Sequence, residues 1–166
     1  MKLKVADAVW VATAHLHQEH PDAEDFAIAE VIDRTVDEGL TEAKRISIQT
    51  HVYRHLVANR EPRHATYRML HEPKPGRRRL HWLNDPYHSG RQGAPDQLGT
   101  RVTPVLDDLP LELRPLLRWY AEISSQMASQ PAEDSDPILA LRGAGRGLWR
   151  EEDPDQYVNR LRGSWQ

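Results

Sequence analysis

The chain of 166 residues predicts a mainly α fold: an α+β unit of three helices and a β-hairpin, with additional C-terminal helices. Three observations predict it. Apolar residues recur at helical spacing in two segments before residue 40. A third helical segment then leads at once into a strand-turn-strand pattern. Apolar stripes of helical period resume only after residue 110. Three helices followed by a hairpin is the order of a winged helix-turn-helix, with the hairpin as its wing.

The first helix is expected over residues 4–20, where Val5, Val9, Ala12 and Leu16 form one stripe widened by Ala8. Pro21 ends it, because its ring removes a donor and restricts His20 to extended backbone. Trp10 lies beside the stripe and reads as core. The second helix is expected over 27–38, with Asp25 as cap and Ile28, Val31, Ile32, Thr35 and Val36 as its buried side. Gly39 supplies a left-handed stop.

Residues 40–46 form the turn into a third helix over 47–59, with Ser47 as N-cap. At 100° per residue, Ile48, Val52, His55, Leu56 and Asn59 share one side. Ser47, Thr50, Arg54 and Val57 share the other, with His51 and Tyr53 on the flanks. The hairpin strands are expected at 66–71 and 77–83 around a turn at 72–76, where Pro75-Gly76 reverses the chain. Tyr67 and Met69 share one face of the first strand, Arg68 and Leu70 the other. Leu80 and Trp82 share a face of the return strand, directed at the helices.

Residues 84–95 have loop composition throughout. A fourth helix is expected over 111–126, with Leu113, Leu116, Leu117, Tyr120 and Ile123 as its stripe and Pro115 in its first turn. Residues 129–135 read as a linker. Two short helices at 138–142 and 155–162, each introduced by Asp-Pro and separated by the glycine-rich 143–147, need a surface to pack on. The organisation is therefore a winged helix-turn-helix domain at 1–92, a connecting loop and helix at 93–128, and an interaction tail at 129–166.

Hydrophobic content of 39% and charged content of 28% suit a globular chain rather than a disordered one. No apolar run reaches 18 residues, and the N-terminal residues lack a signal-peptide core, so no membrane partner is expected. With no cysteine there is no disulfide or thiolate site, and the expected location is cytoplasmic.

The net charge of −3 is unevenly spread. Residues 1–40 carry −6, residues 41–102 carry +7 and residues 103–166 carry −4. All the net positive charge falls on the third helix, the wing and the loop after it, which is where a winged helix meets phosphates. The expected partner is double-stranded DNA. Ser47, Gln49, Thr50, Tyr53 and Arg54 are expected at the major groove, and Lys74, Arg77, Arg78 and Arg79 of the wing on the backbone or in a minor groove. A homodimer is expected, with the helix at 111–126 as its interface.

The chemistry of an enzyme is not expected. Walker loop, dinucleotide fingerprint and nucleophile elbow are all missing from the sequence, and the Gly-rich 143–147 has neither a preceding strand nor Lys-Ser/Thr. Asp107 and Asp108 precede a proline and read as a capping turn. His51 and His55 have the spacing of two ligands on one helix face, and His17 and His20 can also face one ion. Val52 follows His51, so the glutamate of a zinc protease is missing there, and the expectation is no metal and no cofactor.

Two stretches resemble known families. Residues 8–92 resemble an uncharacterised bacterial winged-helix-like family through residues 10–17 (Trp-Val-Ala-Thr-Ala-His-Leu-His), Asp25-Phe26, the segment 57–59 and Arg78-Arg-Leu80. That resemblance implies DNA binding. The tail is similar to the C-terminal tails of some VapB-type antitoxins. It carries Gly143-Ala-Gly-Arg146, then Trp149, an acidic run, and the Asp155-Gln-Tyr-Val-Asn-Arg-Leu-Arg162 helix ending near Trp165. This second resemblance implies a PIN-domain toxin ribonuclease as partner. In front of the tail, a larger helical domain replaces the short β-type DNA-binding unit of those antitoxins.

Against the metal-binding carboxylate cluster that the resemblance implies in such a partner, Arg146, Arg160 and Arg162 would compete with the metal for the carboxylates, and Trp149, Tyr157, Val158, Leu161 and Trp165 would anchor the tail. The same tail also suits folding back on its own domain. A protein-interaction module, and an accessory DNA-recognition subunit of a restriction or modification system, are the alternatives to a regulator of antitoxin type.

Overall fold

The computed structural model describes residues 2–62, 67–92 and 100–129. These belong to a unit spanning Met1–Ser129, and Gln130–Gln166 form a second unit. The expected linker and short helices of the tail, and the start of the first wing strand, lie outside the described residues.

Helix α1, Val5–Glu19, is the axis of the core. Ala8, Val9, Trp10, Val11, Ala12 and Ala14 on it have no solvent exposure, so the helix is buried nearly all round rather than along one stripe. It ends where expected, with the His20 amide donating to Leu16 O just before Pro21.

Strand β1, Phe26–Ala27, follows. Its two residues are too few for any periodic signal, and it was not expected from sequence. Helix α2, Ile28–Glu38, is capped by its own third residue: Glu30 accepts from the Ala27 amide at 2.5 Å. Asp25 does not cap it. The Asp25 carboxylate instead receives Arg77 at 2.6 Å. Gly39 closes α2 at φ +60°, the left-handed geometry its sequence position implied.

Helix α3, Arg45–Thr50, begins two residues before Ser47, with Lys44 as its cap residue. It runs on into a π-helical turn, His51–His55, where the Leu56 amide reaches back to His51 O at 3.1 Å. The wider turn puts later residues out of phase with a 100° wheel. As a result Val57, expected on the open side, is fully buried and bridges Leu70. Asn59 lies beyond the helix, where its side chain exchanges two hydrogen bonds with the Glu72 backbone.

Strands β2, Leu70–His71, and β3, Arg77–Leu80, form the hairpin, with Gly76 at φ +79° in its turn. Both are shorter than expected, for separate reasons. Before Leu70 the backbone turns to the end of the α3 segment, where Leu56 O accepts from the Met69 and Leu70 amides. After His81 a turn ends the ladder: the Asp85 amide donates to Trp82 O, and the Trp82 amide donates to the Asp85 side chain at 2.7 Å.

The sheet is antiparallel with order β1-β3-β2, pairing Phe26 with Arg78, Leu70 with Leu80 and His71 with Arg79. Its inner face carries Leu70 and Leu80 against Val9, Val31, Ile48, Val52 and Leu56 of the same core. Each such apolar side chain, fully buried, contributes on the order of 1.5–3 kcal/mol.

Helix α4, Pro115–Ser129, starts with proline at its first position after a 3₁₀ turn at Leu111–Leu113. It shares the core, because Leu116 and Tyr120 are buried there. The Tyr120 ring meets Trp10 edge-on at 5.5 Å and stacks on Trp82 at 5.7 Å. The Tyr120 hydroxyl donates to His81 O, and the Leu83 amide donates to Ser124 Oγ at 2.8 Å, which ties α4 to the exit of β3. Four helices and a three-stranded sheet make the described unit an α+β fold.

Candidate nucleic-acid interface

The residues expected at DNA divide sharply in the structure. On α3 and its π turn, Thr50, Tyr53 and Arg54 are exposed, while Ser47 and Gln49 are half-buried. Thr50 Oγ1 donates to Ile46 O one turn back, so the hydroxyl is oriented and its lone pairs stay open to solvent. The Tyr53 ring is 46% exposed. Beside them lie exposed Lys44 and Arg45, the latter paired with Asp33. Lys74 stands exposed at the hairpin tip.

The three arginines of β3 are otherwise engaged. Arg78 has no solvent exposure: its Nε donates to Val52 O at 2.9 Å and its Nη1 to Glu72 at 2.8 Å. The expectation that it contacts phosphates is corrected. Its side chain shares the inward face with Leu80, because alternate strand residues point the same way. Arg77 is held by the Asp25 carboxylate and backbone, and Arg79 by both oxygens of Asp85. Both are half-buried.

The positive charge of residues 41–102 is thus largely spent within the fold. Arg60 chelates Glu72 at 2.5 and 2.7 Å, and buried Arg101 pairs with buried Asp7 at 2.7 Å. Arg60 and Arg78 together hold the Glu72 carboxyl below its ordinary range against the opposing effect of burial. Arg91 has no exposure and donates to the carbonyls of Arg54, His55, Arg60 and Tyr67 at 2.6–3.1 Å. It thereby satisfies carbonyls at the end of the α3 segment, which have no intrahelical partner. Burial pulls its guanidinium down to about 10, still charged at neutral pH. Nothing in its sequence context, Ser-Gly-Arg-Gln in a loop, signals this role.

One histidine of each pair weighed from sequence is engaged within the fold. His51 Nδ1 lies 2.8 Å from Ser47 O. His17 packs between Phe26 and Trp82 and accepts from the Leu80 amide. The residues expected to bind a partner, Arg146, Trp149, Tyr157, Val158, Arg160, Leu161, Arg162 and Trp165, lie outside the described residues.

No helix among the described residues is long and apolar enough to cross a membrane. The chain matches no protein-family model, no curated protein and no solved structure.

Proposed function

We propose that the Met1–Ser129 unit binds double-stranded DNA as a winged helix-turn-helix, inserting the exposed side of α3 into the major groove. The observation that carries this reading is the row Thr50, Tyr53 and Arg54. It joins a hydroxyl, an aromatic ring and a guanidinium, all exposed on one short helical segment and flanked by Lys44 and Arg45. The element order α1-β1-α2-α3-β2-β3, with β1 beside β3, supports it as the plan in which a third helix is presented next to a hairpin. Lys74 at the tip is the wing's contact with phosphate in this reading, and Arg77, Arg78 and Arg79 serve the fold instead.

The tail's resemblance to VapB-type antitoxins supports the further proposal that residues 129–166 bind a partner protein of PIN-toxin type, and that the DNA bound is regulatory. Homodimerisation through α4 belongs to the same proposal, since a two-fold protein reads paired half-sites.

A salt titration of binding to random-sequence duplex tests the DNA reading. Affinity is expected to fall steeply with salt, and Arg54→Ala is expected to lower the log-log slope by about one. Absence of binding at low salt would overturn it. Exposed Ile46, at 65%, and Tyr53 on the same segment favour a protein-docking surface as the second reading, which predicts that outcome.

A further inference from the structure

Away from α3, one buried cluster leaves polar atoms without partners. In the register of the hairpin, His71 lies opposite Arg79, and the His81 amide donates to Met69 O two positions further on. His71 and His81 are therefore diagonal neighbours on the same face of the two strands. The turn at residues 82–85 returns Asp85 to that face, held by the Trp82 amide and by Arg79. His71 is 7% exposed and His81 3%.

The Nδ1 atoms of His71 and His81 stand 4.0 and 3.8 Å from Asp85 Oδ2, too far for hydrogen bonds. Neither Nδ1 has a hydrogen-bond partner, although both are buried. One ligand atom from each of the three residues lies within 4.8 Å of the others.

We propose that His71, His81 and Asp85 bind a divalent first-row transition metal of the zinc class. Bonds of about 2.0–2.2 Å in a tetrahedral arrangement place ligand atoms roughly 3.3 Å apart. The present separations of 4.0 and 3.8 Å between Asp85 Oδ2 and the two Nδ1 atoms exceed that spacing by less than about 1 Å. Two imidazole nitrogens and one carboxylate oxygen select such a cation over magnesium or calcium, which take oxygen ligands. Arg79 orients the carboxylate from outside, as second-layer partners do at metal sites. Its positive charge lies beside the carboxylate and opposes the cation's, which weakens the site relative to one without it. The bound cation staples the two wing strands to the turn that follows them. His81 also lines a cavity of about 670 Å³ between β3's exit and α4.

The test uses untagged full-length protein stripped with EDTA, titrated with zinc chloride by calorimetry and with cobalt chloride by visible absorption. One equivalent is expected, with the imidazole NMR signals of His71 and His81 shifting while those of His51 and His55 stay in place. His71→Gln or Asp85→Asn should weaken binding by at least about tenfold, whereas the pair His51→Gln and His55→Gln should leave it unchanged. Failure to take up metal saturably, or shifts confined to His51 and His55, would overturn the proposal. Should the variants unfold, the wild-type imidazole signals decide alone. The outcome is independent of whether the protein binds DNA.

Discussion

Arg78 and Glu72 form an ion pair across the hairpin at 2.8 Å, the arginine without solvent exposure and the glutamate side chain only 12% exposed. The guanidinium also reaches the Val52 carbonyl on the α3 segment. One side chain therefore joins the strand, the turn and the α3 segment. A buried charge survives because its hydrogen bonds are filled from three directions.

Removing that side chain is expected to cost stability rather than affinity. Arg78→Ala leaves Glu72 with only Arg60 and vacates a filled space, at an expected cost of about 3–5 kcal/mol in urea unfolding. The DNA affinity of the remaining folded fraction should be unchanged, whereas Lys74→Ala should weaken binding without moving the unfolding midpoint. A loss of affinity for Arg78→Ala at full folding would show that the arginine leaves its pocket.

The buried pair of Asp7 and Arg101 carries a second prediction. Burial pushes the Asp7 carboxyl up, and Arg101 pulls it back down. Asp7→Asn strands the guanidinium and should destabilise by roughly 3 kcal/mol, by breaking one half of a buried pair. The double change Asp7→Leu with Arg101→Met should recover most of that loss in a double-mutant cycle. Additive losses would mean that the pair is not coupled.

Acid sensitivity follows from His17. Burial, assisted by nearby Arg79, lowers its imidazole to about 4. The unfolded chain then binds the proton more readily than the folded one, so this stability is complete above about pH 6.5 and declines as pH falls toward 4. At pH 5 the loss is about 2 kcal/mol from this group, at ~1.4 kcal/mol per pH unit. His81, also lowered to about 4 by burial, acts in the same direction. Urea midpoints in EDTA at pH 7.5 and 5 should separate accordingly, and His17→Gln should narrow the gap. Equal gaps in the two proteins would exclude His17 as the source.

Truncation after Gln130 addresses the tail. On the proposed reading the shortened protein is expected to keep its DNA affinity and its urea midpoint, because α1, α2, the sheet and α4 share one core among the described residues. It should lose co-purification with the partner. A lowered midpoint would indicate that the tail serves its own domain.

Helices α1, α2 and α4 were legible because their apolar residues repeat with a helical period. Pro21 and Gly39 mark the ends of the first two, whereas α4 starts at Pro115, four residues later than expected, after a 3₁₀ turn. The outward side of α3 was legible as far as Arg54. It failed at Val57, since a π turn leaves no mark in a hydrophobic pattern. Arg78 was readable in principle: if Leu80 and Trp82 face inward, period-two alternation carries Arg78 with them. Reading the three arginines as one charge patch ignored that alternation. The cluster of His71, His81 and Asp85 was hidden for a different reason. It depends on strand register and on a turn after the hairpin, and linear spacing reports neither.

The four carbonyls gripped by Arg91 have a mechanical consequence. The Arg54 and His55 carbonyls at the end of the α3 segment are fastened from a 3₁₀ turn, Ser89–Arg91, that follows the hairpin in the chain. Substitution of Arg91 is therefore expected to act directly on the backbone of that segment. A three-residue turn without an apolar side chain thus holds, through one guanidinium, the backbone that carries Arg54.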